Sequence, residues 1–320
     1  MSESSAAATR TAGGPGLTTT KAPFIEQARA DGQLFIRQPY ELYSDENHRT
    51  WTRLLERIRP LWERYANAKF LEGVSVLQLD PGHVPRLEDI NRFLQPRTGF
   101  QAKPVSGHVP SYLFFDRLRE RQFPTTITIR DASSLDYLPE PDIFHDAAGH
   151  VPMHTDPAFA EVLVSFGNCA DRATRRAAGI PDEKERLRAL TSMVKGLTRF
   201  FWFTVEFGLM REKPGGAIAP GHVRAYGSGL LSSYGELAHS VDSPEVQRYP
   251  AQIEWIVNQY YEIYHYQPLL FVVDDFEHLF YLVHELERWL DSGLLDHLAP
   301  GEPEVNEEDL KSFLDAARRS

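Results

Sequence analysis

Cysteine is nearly absent from this 320-residue chain. The single example, Cys169, excludes an intramolecular disulfide and any zinc site built on several thiolates. Its expected role is that of a small buried apolar residue. No apolar run approaches the ~20 residues of a membrane span. The N-terminus lacks the basic-then-apolar pattern of a secretory signal. There is no basic surplus either: 34 Lys and Arg stand against 45 Asp and Glu, for a net charge of −11. The arginines are scattered, which argues against nucleic-acid and anionic-membrane partners. No glycine-rich phosphate loop follows a strand pattern, so a nucleotide cofactor is not expected. The expected location is cytosolic.

What is present is apolar material for a core, 42% of residues, with 12% aromatic. Residues 1–23 are small and polar and read as a disordered leader. Residues 24–296 read as one domain, and 297–320 as a polar tail with a short helix over 307–317. Helical spacing of apolar residues predicts helices over 45–66 (kinked at Pro60), 86–94, 112–122, 157–178, 183–210, 230–239, 251–258 and 275–289. Residues 95–99 read as a turn and 214–229 as a loop. Alternating β-branched residues from Thr125 to Arg130 make the best strand candidate. The fold class is mostly α with a few short strands.

Chemistry concentrates in Pro139-Glu140-Pro141-Asp142-Ile143-Phe144-His145-Asp146-Ala147-Ala148-Gly149-His150-Val151-Pro152. Neutral imidazole is the commonest protein ligand for a catalytic metal. Positions five apart on a regular helix point about 140° away from each other. His145 and His150 reach one metal only if the turn loosens, which Gly149 permits, while Pro152 stops the helix. Two satisfied histidines at a helix end would look the same. Trp202-Phe203-Thr204-Val205-Glu206-Phe207-Gly208 sets one carboxylate in an aromatic helix. Such a glutamate is either paired with a core arginine or bound to a metal. Two histidines and a carboxylate form the facial triad of non-haem iron(II) oxygenases. They also suit a zinc hydrolase, although the H-E-x-x-H arrangement is lacking.

The 139–152 stretch resembles the histidine motif of the pterin-dependent aromatic amino acid hydroxylases. Trp202–Leu209 and Ala225-Tyr226-Gly227-Ser228-Gly229-Leu230-Leu231-Ser232-Ser233 resemble two further signatures of that family, in the right order. The resemblance covers roughly residues 35 to 290 and implies the family's catalytic-domain fold. It also implies iron(II) held by His145, His150 and Glu206, a tetrahydropterin cofactor, and O2-dependent ring hydroxylation of a free aromatic amino acid. Arg130 matches the arginine that takes the substrate carboxylate, where a guanidinium fork suits a bidentate partner. Trp202 matches an aromatic beside the substrate ring. Ser232 and Asp142 match groups that orient ligands or water. Gly107, Val109 and Phe114 fall in a pterin-contacting segment, and Asp146 matches an acidic residue facing the pterin.

Ala147 and Ala148 depart from the family's bulkier pair, and an arginine-rich insert around 170–188 lengthens the spacer to Glu206. Leu138 stands where several members carry a polar residue. Trp202 and Val272 point to L-phenylalanine, converted to L-tyrosine. The alternatives are another ring position, a tryptophan or tyrosine substrate, a zinc-dependent hydrolase, or a non-enzymatic helical module. Without a regulatory domain or heptad tail in view, a monomer is expected.

Overall fold

The computed structural model describes residues 16–18, 23–136 and 141–317. Helix α1 (Pro23–Ala30) buries Ile25 and Ala28. Helix α2 (Asp45–Tyr65) begins at a capping box. There the Ser44 hydroxyl accepts from the Asn47 N–H, and the Asn47 side chain accepts from the Ser44 N–H. Its buried stripe includes Trp51, Leu54, Ile58 and Trp62, at the spacing expected, and the helix runs through Pro60. Helices α3 (Ala68–Leu77) and α4 (Leu87–Thr98) follow. The latter passes the expected turn and ends on Gly99, whose φ of 74° suits glycine.

Strands β1 (Gln101–Pro104) and β2 (Gln122–Thr125) pair in parallel, with α5 (Ser111–Arg119) between them in sequence. The strand expected at Thr125–Arg130 is therefore misplaced: β2 ends at Thr125, and residues 126–130 have no strand partner. Their backbone groups bond elsewhere. The Ile127 carbonyl accepts from the Tyr43 hydroxyl, the Ile129 N–H donates to the Leu17 carbonyl at 2.8 Å, and the Thr128 carbonyl accepts from the Ile143 N–H at 2.7 Å. Residues 125–130 are buried on both sides. Alternation there reports burial among loops, not a ladder.

Helices α6 (Val151–His154), α7 (Pro157–Ala178) and α8 (Glu183–Phe201) form the next layer. The long helix expected to Met210 stops at Phe201, and β3 (Leu209–Arg211) occupies its expected end. Then come β4 (Val223–Ala225), α9 (Ser228–Leu231), α10 (Tyr234–Asp242), β5 (Gln247–Pro250), α11 (Ile253–Asn258), β6 (Leu269–Val273), α12 (Phe276–Ser292) and α13 (Glu307–Ala317). The four-stranded sheet has the order β4-β3-β6-β5.

One cluster of buried apolar side chains extends from Leu17 to Phe313. Within the expected leader, Leu17 is buried and donates its N–H to Asn47 Oδ1 at 3.1 Å; residues 1–15 and 19–22 lie outside the described set. The expected tail is integrated as well. Arg199, fully buried, donates to the carbonyls of Ala299, Pro300, Gly301 and Glu302, and α13 buries Phe313.

Candidate metal centre

Asp142 starts the first ligand segment. Its carboxylate accepts from the His145 N–H at 2.9 Å, as a helix cap does. From His145 to His150 the chain makes one turn of π-helix. Bonds from i to i+5 gather residues five apart on one side, which resolves the awkward spacing. The two imidazoles stand perpendicular, with centroids 4.8 Å apart and their Nε2 atoms at 3.1 Å. Gly149 has a different task from the one its sequence suggests. A Cβ there would lie 2.9 Å from the Ser228 carbonyl and 3.2 Å from Ser232 Cβ, so α9 rests directly on the turn. Pro152 does not stop the helix, which continues as α6 to His154. Leu138 and Pro139 lie outside the described residues.

The second ligand segment repeats the device. Past Phe201, residues Trp202–Glu206 form another π turn, closed by the Phe207 N–H donating to the Trp202 carbonyl at 2.8 Å. This turn aims Glu206 at the histidines. Its Oε1 lies 3.1 Å from His150 Nε2 and its Oε2 lies 3.6 Å from His145 Nε2. One ligand atom from each of the three side chains falls within 4.8 Å of the others. The Ser232 hydroxyl meets His145 Nδ1 at 2.8 Å, which turns Nε2 inward. Ser228, which sequence reasoning missed, sets its hydroxyl 3.0 Å from both His150 Nε2 and Glu206 Oε2.

Burial pulls the His145 pKa down to about 4. Burial acts the same way on His150, but the facing Glu206 carboxylate outweighs it and raises that pKa. Burial works against the Glu206 charge, yet the two histidines and Ser228 hold its pKa at about 2. Two imidazole nitrogens at 3.1 Å cannot both present lone pairs to each other at no cost. A divalent cation among the three groups satisfies all of them, so the donor set fits a bound iron(II).

Two cavities meet at this triad. One, of about 270 Å³, is lined by Arg130, Trp202, Phe207, Ser232, Glu236, Tyr261 and Ile263 as well as His145 and Glu206. The other, of about 630 Å³, is lined by Gly107, Val109, Phe114, Phe123 and Asp146 together with all three triad residues. Every site residue expected from the sequence thus borders one of the two cavities, except Asp142, which lies behind Arg130. The Asp142 carboxylate takes Arg130 Nε at 2.8 Å and Nη2 at 2.9 Å in a fully buried pair. Trp202 stacks on Tyr261 at 4.0 Å between centroids and is anchored by Nε1 donating to Gln267 Oε1 at 3.1 Å. Asp146 accepts from the Thr126 N–H at 2.6 Å, and burial pushes its pKa up to about 7.

Three features singled out in the sequence lie away from the triad and its cavities. Val272 pairs with Leu209 inside the sheet and borders neither cavity; Ile263 occupies the pocket wall instead. Ala147 and Ala148 are fully buried away from both cavities. The arginine-rich stretch around 170–188 spans the end of α7 and the start of α8, and residues from it line a separate, charged cleft of about 850 Å³ against α12, which shares no residue with the triad.

The family described as biopterin-dependent aromatic amino acid hydroxylase matches residues 37–292. A phenylalanine-4-hydroxylase of Chromobacterium violaceum is 35% identical over 266 residues, covering 83% of this chain and 82% of that protein. The crystal structure of the C. violaceum phenylalanine hydroxylase with bound iron(III) and the oxidised cofactor 7,8-dihydrobiopterin superposes with a TM-score of 0.70 at 33% identity. It covers 85% of this chain and 90% of that one. The iron- and phenylalanine-bound structure from the same organism gives 0.69 at 32% identity, covering 84% and 90%.

Proposed function

The chain belongs to the biopterin-dependent aromatic amino acid hydroxylases, and we infer that it is an iron- and tetrahydropterin-dependent monooxygenase converting L-phenylalanine to L-tyrosine with O2. The observation that carries this reading is the triad's position where a small aromatic-walled cavity and a larger one meet. A substrate ring and a flat cofactor can thereby approach the same metal from two sides. When bound, iron and the tetrahydropterin supply the electrons and the O2 activation. The chain's own residues do the rest. His145, His150 and Glu206 hold the iron, with Ser232 fixing the ring orientation of His145. Asp142 occupies the Nε–Nη2 edge of Arg130, which leaves the Nη1 edge to receive the substrate carboxylate. Trp202 and Phe207 form the wall beside the ring and keep water out. Phe114, Gly107, Val109 and Asp146 line the space for the pterin. The protein works as a monomer in the cytosol, in phenylalanine catabolism. A sedimentation mass of 36.5 kDa supports the monomer, and a multiple of it refutes it.

The test is product analysis. Iron(II)-loaded protein is incubated with O2, a tetrahydropterin and each aromatic amino acid in turn. Para-tyrosine from L-phenylalanine is expected. A hydroxytryptophan or meta-tyrosine as main product overturns the substrate assignment. No hydroxylation, with zinc retained through purification, overturns the reaction. Glu206→Ala is expected to abolish turnover while the protein stays folded.

A further inference from the structure

Ser233 and Glu236 stand at the first and fourth positions of a capping box. Serine precedes α10 as its cap residue, and glutamate is the third residue of the helix. In α2 a box of this kind is formed; in α10 it is not, for Ser233 makes no side-chain cap bond. Both side chains line the smaller cavity instead. The Ser233 hydroxyl and Glu236 Oε2 are buried with no hydrogen-bond partner among the described residues. Glu236 is 1% exposed, and its other oxygen accepts from the Gln267 N–H at 2.7 Å. Burial pushes its pKa up to about 7, opposed only by that amide, and no basic group contributes. A buried carboxylate without a cation is costly, and in a native protein it asks for an explanation. The guanidinium on this cavity does not supply one: among the described residues Arg130 pairs with Asp142 and makes no ion pair with Glu236.

We propose that Glu236 Oε2, assisted by the Ser233 hydroxyl, receives the α-ammonium group of the amino acid substrate. The cavity would then hold a zwitterion by both ends, the carboxylate at Arg130 and the ammonium at Glu236, with the ring left to the aromatic wall. An ammonium brings the missing positive charge and donates charge-assisted hydrogen bonds to the unpartnered oxygens. Gln267 ties this site to the wall. Its N–H donates to Glu236 while its side-chain oxygen holds Trp202. Glu236 is thus a specificity-determining residue for free amino acids over their deaminated analogues. The inference rests on the hydroxylase reading above.

The experiment compares L-phenylalanine with 3-phenylpropanoate, which lacks the ammonium, by anaerobic calorimetry on the iron(II) protein. In Glu236→Gln, affinity for L-phenylalanine is expected to fall about 10- to 100-fold, the scale of a hydrogen bond to a charged group. Affinity for 3-phenylpropanoate should stay within about twofold, so the preference for the amino acid collapses. In turnover, KM rises more than kcat falls. Ser233→Ala should show the same selective loss, smaller, and serves where Glu236→Gln folds poorly. Equal loss of both ligands, or loss of neither, overturns the proposal. Wild-type protein that binds no aromatic amino acid overturns the hydroxylase reading itself, and the proposal falls with it.

Discussion

Glu236 is a carboxyl group that folding makes harder to ionise, and this fixes the sign of a pH effect. Its pKa rises in the folded protein to about 7, through burial, from an ordinary value near 4.3. Between those values the folded state binds the proton more tightly than the unfolded one. The resulting stability is complete below about pH 4.3 and is lost as pH rises through about 7. Denaturant midpoints measured from about pH 5 to 8 should therefore fall with pH more steeply for wild type than for Glu236→Gln, which cannot ionise. Parallel slopes would show that Glu236 is charged throughout. Ser228 supports a second expectation at this scale. Its hydroxyl, 3.0 Å from both His150 Nε2 and Glu206 Oε2, bridges two side chains of the candidate triad. Loss of such outer contacts typically costs 10- to 100-fold in metal affinity. Ser228→Ala should weaken iron(II) binding by about that factor in chelator competition. Unchanged binding would reduce Ser228 to a packing role.

Each ligand-bearing element is a single π turn set into helical chain, and each depends on close approach of α9. Gly149→Ala tests this. Its Cβ would press within 2.9 Å of the Ser228 carbonyl, which is backbone and cannot swing aside. Separation of α9 from the turn should cost about 1–3 kcal/mol of stability, as overpacking does. It should also break the Ser232–His145 contact and weaken iron binding. Gly179→Ala, whose Cβ would have 3.4 Å to its nearest neighbour, is the matched control in urea unfolding and iron titration. Equal behaviour of the two variants would refute the close-approach argument.

How far these elements can be read from sequence follows from what periodicity records. His145, His150 and Glu206 are legible because polar ligands in apolar surroundings break the pattern. The π turns show only as a conflict, two ligands five apart on what reads as a helix. Thr125–Arg130 misleads because alternation records burial and is silent about the partner. Val272 and Ile263 cannot be ranked by sequence, since the sheet buries one and the pocket exposes the other. Glu236 is invisible for a subtler reason: Ser-x-x-Glu before an apolar run is an ordinary local motif, and only the unmade bond reveals its diversion.

At the largest scale, residues far apart in sequence close one core. Leu17 near one end and Phe313 near the other belong to the same buried cluster that surrounds the triad. Helix α13 is more than a cover. Phe313 meets Tyr112 edge-on at 5.0 Å, and Asp309 accepts the Ser111 N–H at 2.7 Å, so α13 secures the start of α5. Helix α5 carries Phe114, which lines the larger cavity and contacts Phe123 and Phe201 edge-on. A defect at Phe313 should therefore reach the larger cavity before the smaller one. Phe313→Ala removes a fully buried aromatic and should cost about 3–5 kcal/mol. Because the cluster is continuous, the loss should appear as one cooperative unfolding transition shifted to lower denaturant. Affinity for dihydrobiopterin should weaken through the loosened α5, while affinity for L-phenylalanine, assigned above to the smaller cavity lined by Trp202, Tyr261 and Ile263, should change little. Two separate transitions, or full stability with α13 detached, would show that the last helix is an appendage and that residues up to 296 hold the site unaided.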